Sequence, residues 1–258
     1  MTPACGSLYL VPNTLDFGLE GALPSLEETL APGVIRLAAR LEYWVVENAK
    51  TARSFLKRVN AIAPLARPLQ TLSIVELPRP AKGRQRANPD DLQPLLAPAM
   101  SGRDIGLLSE AGLPAVADPG ATLVQLAHAR QLNVVALPGA SSLLLALAAS
   151  GLNGQGFAFV GYLPVEAPAR AARIHELERQ SRRDGLTRLM IETPYRNQAL
   201  LDALVHHLQA TTRLSVSCGL TVPGGFTRTR TVADWRMGPA QVPGNVPAVF
   251  LLLAAPGQ

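Results

Sequence analysis

The stretch Leu107–Gly120, LLSEAGLPAVADPG, decides how this chain folds. It continues a short apolar run, Ile105–Leu108, that reads as a strand. It leads into Ala121–Gln131, where apolar residues recur at helical spacing. A strand running through a Gly- and Pro-rich loop into a helix is the building unit of an α/β protein. Gly112 and Gly120 let the backbone turn back or approach a ligand closely, because neither has a Cβ. Pro114 and Pro119 stiffen the loop, and Asp118 is placed to cap the helix that starts near Gly120. Loops at the carboxyl ends of parallel strands are where open α/β sheets bind ligands. A rigid strand–helix turn would satisfy the same spacing, so both readings stand at this point.

Outward from this loop the alternation continues. Ser7–Val11, Tyr43–Val46, Leu72–Leu77 and Val134–Leu137 read as further strands, with Ala49–Asn60 as a helix between the second and third. A second set follows, with strands at Phe157–Leu163, Leu186–Ile191, Leu214–Ser217 and Val249–Leu253 and helices at Ala169–Arg183 and Asn197–Gln209. Thr227–Trp235 reads as a hairpin arm. The expected fold is therefore α/β, with two domains and mainly parallel sheets. The turn Pro138-Gly139, before the helix Ser141–Ala149, sets the boundary, giving domains of residues 1–138 and 139–258. Two more strand-end loops are rich in small and hydroxyl residues. In LPGASS, Leu137–Ser142, Ser141 and Ser142 are placed to hold a carboxylate or to cap a helix; IETPYR, Ile191–Arg196, is the other.

Composition narrows the class. Hydrophobic residues make up 48% of the 258 and charged residues 17%, which suits a packed globular chain. The longest apolar run, Leu143–Ala149, falls far short of the roughly 20 residues a membrane span requires, so no membrane partner is expected. The N-terminal MTPACGSLYLVPN lacks a basic region and an apolar stretch of the signal-peptide kind, and the cytoplasm is the expected compartment. Cys5 and Cys218 are too few for a disulfide framework or a zinc site. His128, His175, His206 and His207 are scattered in sequence, and no metal site is expected. The net charge is +5 and its carriers are nearly all Arg, with Lys only at 50, 57 and 82. Arg79, Lys82, Arg84 and Arg86 form a basic loop between Pro78 and Pro89, either a phosphate-contacting arm for RNA or a solvated loop. Arg170, Arg173, Arg179, Arg182 and Arg183, interspersed with Glu176, Glu178 and Asp184, read as a solvated helix face.

Five segments, in order, are VVENAKTARSFL, SEAGLPAVADPG, ALPGASSLLLALAASGLN, FVGYLP and IETPYRNQALLDAL. Together they resemble the tetrapyrrole methylase superfamily, and most closely its branch that 2′-O-methylates a cytidine of small-subunit ribosomal RNA. The resemblance spans residues 6 to 255. It implies a methyltransferase using S-adenosylmethionine held between two α/β domains, possessing no GxGxG run, and working as a homodimer. It also implies donor contacts from Pro12, Gly112, Leu113, Pro114, Val116 and Ala117, with Ser141 and Ser142 near the methionine moiety and Thr193 and Pro194 on the far wall. Departures gather on the acceptor side. The Gly-Asn that follows the first proline is lost after Pro12, the AEDTR motif becomes Glu47-Asn48-Ala49-Lys50, and the late charged segment becomes SCGLTVPGGF.

Methyl transfer from a sulfonium is an in-line displacement, so alignment of donor and acceptor is the main task. A weakly acidic ribose hydroxyl also needs a base. Glu47, Glu110 and Glu192 are the candidate bases in the matched loops, each equally suited to a cap or a salt bridge. An RNA methyltransferase with an altered target fits the basic loop. A methyltransferase of a small molecule such as a tetrapyrrole, or a non-catalytic relative that binds the donor, fits the loss of charged acceptor residues. The rewritten acceptor side predicts that this chain, expressed in cells lacking the ribosomal 2′-O-methyltransferase, leaves the cytidine unmodified. Primer extension across the site checks this, and return of the methyl mark would overturn it.

Overall fold

The computed structural model describes residues 5–16, 23–78, 88–238 and 241–255. The chain divides into two compact units and passes from one to the other between Ala140 and Ser141. The first contains β1 (Ser7–Val11), α1 (Pro32–Arg40), β2 (Tyr43–Val46), α2 (Ala49–Ile62), β3 (Ser73–Glu76), the short α3 (Pro89–Leu92) and α4 (Ala97–Met100), β4 (Ile105–Leu108), α5 (Ala121–Ala129) and β5 (Asn133–Ala136). Its five strands lie in the order β3-β2-β4-β1-β5, and every pairing is parallel.

Alternation along each strand splits the core into two layers. Val11, Trp44, Val46 and Leu108 join Val34, Ile35 and Ala38 of α1 and Ala52, Phe55, Leu56 and Val59 of α2 on one face. Leu8, Val45, Ile105 and Leu107 join Leu92, Leu96, Leu123 and Ala127 on the other. The helices after β1 and β2 thus cover one face, and those after β3 and β4 cover the opposite one. Trp44 organises the first layer. Its indole Nε1 donates to Leu41 O at 3.1 Å, and its ring meets Phe55 edge-on with centroids 6.5 Å apart. Across the sheet Trp44 pairs with Gly106, where a Cβ would come within 2.7 Å of the ring.

The second unit contains α6 (Ser142–Ser150), β6 (Phe157–Phe159), α7 (Ala167–Asp184), β7 (Thr187–Glu192), α8 (Asn197–His207), β8 (Arg213–Cys218), β9 (Phe226–Thr231), α9 (Val232–Met237) and β10 (Ala248–Leu253), with strand order β6-β7-β10-β8-β9. This sheet corrects the expectation of two mainly parallel sheets. Only β6–β7 is parallel, whereas β7–β10, β10–β8 and β8–β9 are antiparallel. Strand–helix alternation implies the mutually parallel β6, β7 and β8, and these form. It carries no information on the last strand, which inserts between β7 and β8 and reverses both pairings. The arm over Thr227–Trp235 is likewise half strand. β9 ends at Thr231, whose hydroxyl accepts from Asp234 N at 3.2 Å and starts α9.

Two further expectations are corrected here. Glu178 does not lie on a solvated face: it is buried and accepts from Gln209 N at 2.8 Å and from the Thr212 hydroxyl. The histidines are not all scattered, because α7 packs against α8. The His207 ring lies 5.5 Å from that of His175 and 4.7 Å from that of His206. Among the described residues no group of His, Cys, Asp or Glu has the geometry to hold a metal ion. Nor is any described helix long and apolar enough to cross a membrane.

Because Gly106 sits directly against the Trp44 ring, Gly106→Ala should destabilise the first unit by about 1–3 kcal/mol. Urea unfolding followed by tryptophan fluorescence measures this, and an unchanged midpoint would contradict the packing argument.

Candidate functional site

The carboxyl ends of β1, β2 and β4 define the site of the first unit. β4 lies between β2 and β1, and the chain leaves it toward the face opposite the one they feed. Such a switch in direction opens a crevice outside the strand ends. The loop after β4, Ser109–Gly120, occupies this position. Asn13, at the end of β1, ties the crevice together. Its N–H donates to Gly112 O at 2.8 Å, and its Nδ2 donates to Ser109 O at 3.2 Å and Glu110 O at 2.9 Å. Pro12 packs on the neighbouring loop after β5, where a Cβ on Gly139 would fall 2.2 Å from Pro12 Cβ.

The loop backbone is strained. Gly112 and Gly120 have φ of +68° and +123°, and Ala115 and Ala117 stand in the left-handed region at +66° and +63°. For a residue with a Cβ this costs about 1–2 kcal/mol. Strain of this kind persists where surrounding contacts enforce it, and it gathers at binding sites. Among the described residues the N–H groups of Leu113, Ala117 and Asp118 make no hydrogen bond. Val116 is 46% exposed at the crest of the loop. A sequence of left-handed turns with free N–H donors forms a concavity for acceptor atoms.

Three carboxylates border this loop. Glu47, directly after β2, accepts the Glu110 N–H at 3.0 Å on Oε2, and Glu110 Oε1 accepts from Thr51 Oγ1 at 3.1 Å. Asp118 does not cap α5. The cap is Gly120, which has no side chain to offer, and Asp118 instead hydrogen-bonds the Ser109 side chain. Burial pushes the Asp118 carboxyl up to about 7, and the charges of Glu47 and Glu110 add to the rise against the Ser109 bond. Burial raises Glu47 as well, opposed by the Glu110 N–H and reinforced by the Glu110 charge. Sequence reasoning picked out Glu47 and Glu110 but missed Asn13, Thr51 and the electrostatic part played by Asp118. An Asn directly after an apolar strand and a proline was the available signal.

In the second unit, Glu192 ends β7 and is buried. Its Oε1 accepts from Thr193 N at 2.8 Å and Thr193 Oγ1 at 3.2 Å, and its Oε2 lies 3.0 Å from Arg196. Pro194 opens a short 3-10 turn after Thr193. Ser141 has cap dihedrals at the start of α6, but its hydroxyl makes no capping bond; Ser142 is the first helical residue. The basic loop with Arg79, Lys82, Arg84 and Arg86 lies outside the described residues.

No protein-family model matches the chain. Ribosomal RNA small subunit methyltransferase I of Pseudomonas aeruginosa is 39% identical over 103 residues, 40% of this chain and 34% of that protein. The protein of the same name from Mesorhizobium japonicum is 36% identical over 138 residues, 54% and 46% of the two chains. That from Vibrio cholerae is 38% identical over 116 residues, 43% and 39%. The matches span less than half the length of each of these relatives. Among solved structures, the methyltransferase CobJ aligns with a TM-score of 0.57 at 17% identity, covering 97% of this chain and 95% of the other. Uroporphyrin III C-methyltransferase from Thermus thermophilus aligns with a TM-score of 0.52 at 18% identity, covering 96% and 97%. The chain shares its fold with these two methyltransferases.

Asp118 makes the stability of the first unit depend on pH. The native carboxyl holds its proton up to about pH 7, whereas the unfolded one releases it near its ordinary value of 3.8. Between those limits the native state binds more protons, so this contribution is present at low pH and is lost as pH rises toward 7. Asp118→Asn removes the titration while keeping a side chain able to bond Ser109. Relative to the unmodified protein it should therefore be more stabilising at pH 8 than at pH 5. Urea midpoints at the two pH values measure this, and an equal difference at both would refute it.

Proposed function

We propose that this chain is an S-adenosylmethionine-dependent methyltransferase whose acceptor is RNA, with the donor held on the loop after β4. The observation carrying the proposal is that loop. It stands at the switch point of a parallel sheet, strained at Ala115 and Ala117, with free N–H groups at Leu113, Ala117 and Asp118. A nucleoside bearing hydroxyls and a carboxylate offers acceptors that match those donors. When bound, the donor supplies an electrophilic methyl on a sulfonium. Pro12, Gly112, Leu113, Pro114, Val116 and Ala117 bind and orient it. Ser141, Ser142, Thr193 and Pro194 enter the proposal through the family resemblance alone.

Glu47 and Glu110 are the proposed acceptor-side groups. Burial makes Glu47 a stronger base than an ordinary carboxylate, which suits removal of a hydroxyl proton as the methyl transfers. Glu192, held by Arg196 and Thr193, is better suited to fixing the turn at Thr193–Arg196 than to taking a proton. The RNA acceptor is supported by the sequence likeness to ribosomal RNA methyltransferases. In line with the resemblance, the protein is taken to act as a cytoplasmic homodimer.

Isothermal titration with S-adenosylmethionine tests the donor site. The unmodified protein should bind it stoichiometrically. Gly112→Val should abolish binding, since the valine would sit at a φ of +68° with its Cβ 3.3 Å from Leu15. No heat of binding by the unmodified protein, with its fold intact by circular dichroism, would refute the proposal.

A further inference from the structure

The helix that leaves the site, α2, carries an unusual distribution of charge. Its sequence AKTARSFLKRVNAI holds Lys50, Arg53, Lys57 and Arg58 and no acidic residue. Ala52, Phe55, Leu56 and Val59 face the core, which leaves Lys50, Arg53, Lys57 and Asn60 along one exposed stripe at intervals of three and four residues. Arg58 alone turns inward, to Asp16 at 3.0 Å and to Pro24 O at 2.8 Å. Among the described residues the three stripe cations pair with no carboxylate. Solvated helix faces ordinarily mix charges of both signs; this one does not.

The stripe is anchored at both ends. At its start, Asn48 caps α2 by accepting from Lys50 N and Thr51 N, and Thr51 donates to Glu110 of the proposed site. At its far end, Lys57 and Asn60 line a groove of about 490 Å³ together with Arg67 and Gln70. Arg67 touches Glu42 through Nε at 2.8 Å, yet its side chain remains 57% exposed. From Lys50 to Lys57 the helix rises about 10 Å, so the cations suit successive charges of a polyanion and not one compact anion.

We infer that the outer face of α2, continued into the Lys57–Gln70 groove, binds the phosphate backbone of RNA and leads it to the Glu47–Glu110 site. The inference rests on the methyltransferase reading for the direction of the track but not for its charge. A row of unpaired cations without acids is complementary to a phosphate chain. The neutral Asn60 and Gln70 supply hydrogen bonds to phosphate or ribose, as positioning contacts to nucleic acid do. The stripe from Lys50 to Asn60 carries no apolar side chain of its own, and Leu65 and Leu69 enter only in the groove at its far end, so charge and not apolar anchoring governs the face.

The test compares the full chain with Lys50→Gln/Arg53→Gln/Lys57→Gln. A control, Arg173→Gln/Arg182→Gln/Arg183→Gln on α7, removes the same charge elsewhere. Binding of a fluorescein-labelled RNA stem–loop is followed by anisotropy from about 50 to 200 mM salt. The α2 variant should bind roughly tenfold more weakly, with a log–log salt slope flatter by about 2, while the control shifts both far less. The single replacements should each flatten the slope in part, and urea unfolding verifies that the fold is kept. Equal effects of the two triple variants, absence of RNA binding by the unmodified protein, or equal binding of polyglutamate would each overturn the inference. Titration with S-adenosylmethionine runs in parallel. Donor binding with an unchanged salt slope defeats only the RNA track, whereas the expected slope without donor binding defeats only the methyltransferase reading.

Discussion

Four hydrogen bonds between the ends of β1 and β4 hold the first unit's site in one shape. They are Asn13 N–H to Gly112 O, Gly112 N–H to Thr14 O, and Asn13 Nδ2 to the carbonyls of Ser109 and Glu110. β1 and β4 are neighbours that send the chain to opposite faces of the sheet, so their loops would splay apart if nothing joined them. Asn13 is buried, and an unsatisfied amide there would cost about 1–3 kcal/mol. Meeting that demand fixes the Ser109 and Glu110 backbone, which sets where the Glu110 N–H meets Glu47. Gly112 is drawn in by the same ties, and the strained turns at Ala115 and Ala117 follow within five residues.

Electrostatics then divides this end of the unit in two. Glu47 and Asp118 stand where burial already penalises charge, and the Glu110 carboxylate beside them adds to the cost of ionising each. A structural role alone would not require three acids there, and clusters with perturbed titration mark functional sites more often than packing sites. Immediately beyond, α2 presents only positive charge. Thr51 touches the acidic side through Glu110 while Lys50 and Arg53 of the same turn face solvent. One helix therefore carries the boundary between a proton-holding pocket and a surface suited to polyanions.

Much of the first unit was legible because its signals are local. β1, β2 and β4 fall where apolar runs end in Pro, Glu and Ser, and the Gly/Pro loop between β4 and α5 announces itself by composition. The second sheet was legible only in part. β6, β7 and β8 follow helices and are mutually parallel, but the position of β10 between β7 and β8 depends on contacts between residues far apart in sequence. The hairpin at β8–β9 was readable, and α9 was hidden because the Thr231–Asp234 cap interrupts a run that looks like strand. Glu178 was misread because the helix around it is rich in Arg, and only its partners Gln209 and Thr212, more than thirty residues away, bury it.

The site shows the same limit more sharply. Glycine and proline mark where a loop can bend, but they do not reveal that two alanines will be forced to positive φ. That follows from the ties at either end of the loop: Asn13 holds Gly112, and Gly120 precedes α5 where a Cβ would fall 2.9 Å from Leu107 and 3.6 Å from Ala115. Between these fixed points the seven residues include two prolines with locked φ, and the remaining turn must be taken elsewhere. Alanine, the smallest residue with a Cβ, bears the turn at 115 and 117. Asp118 then follows at a place where capping α5 is geometrically closed to it and Ser109 is within reach. Its weakened acidity, with the pKa raised to about 7, is thus a consequence of how the backbone is tied and not of any local sequence motif.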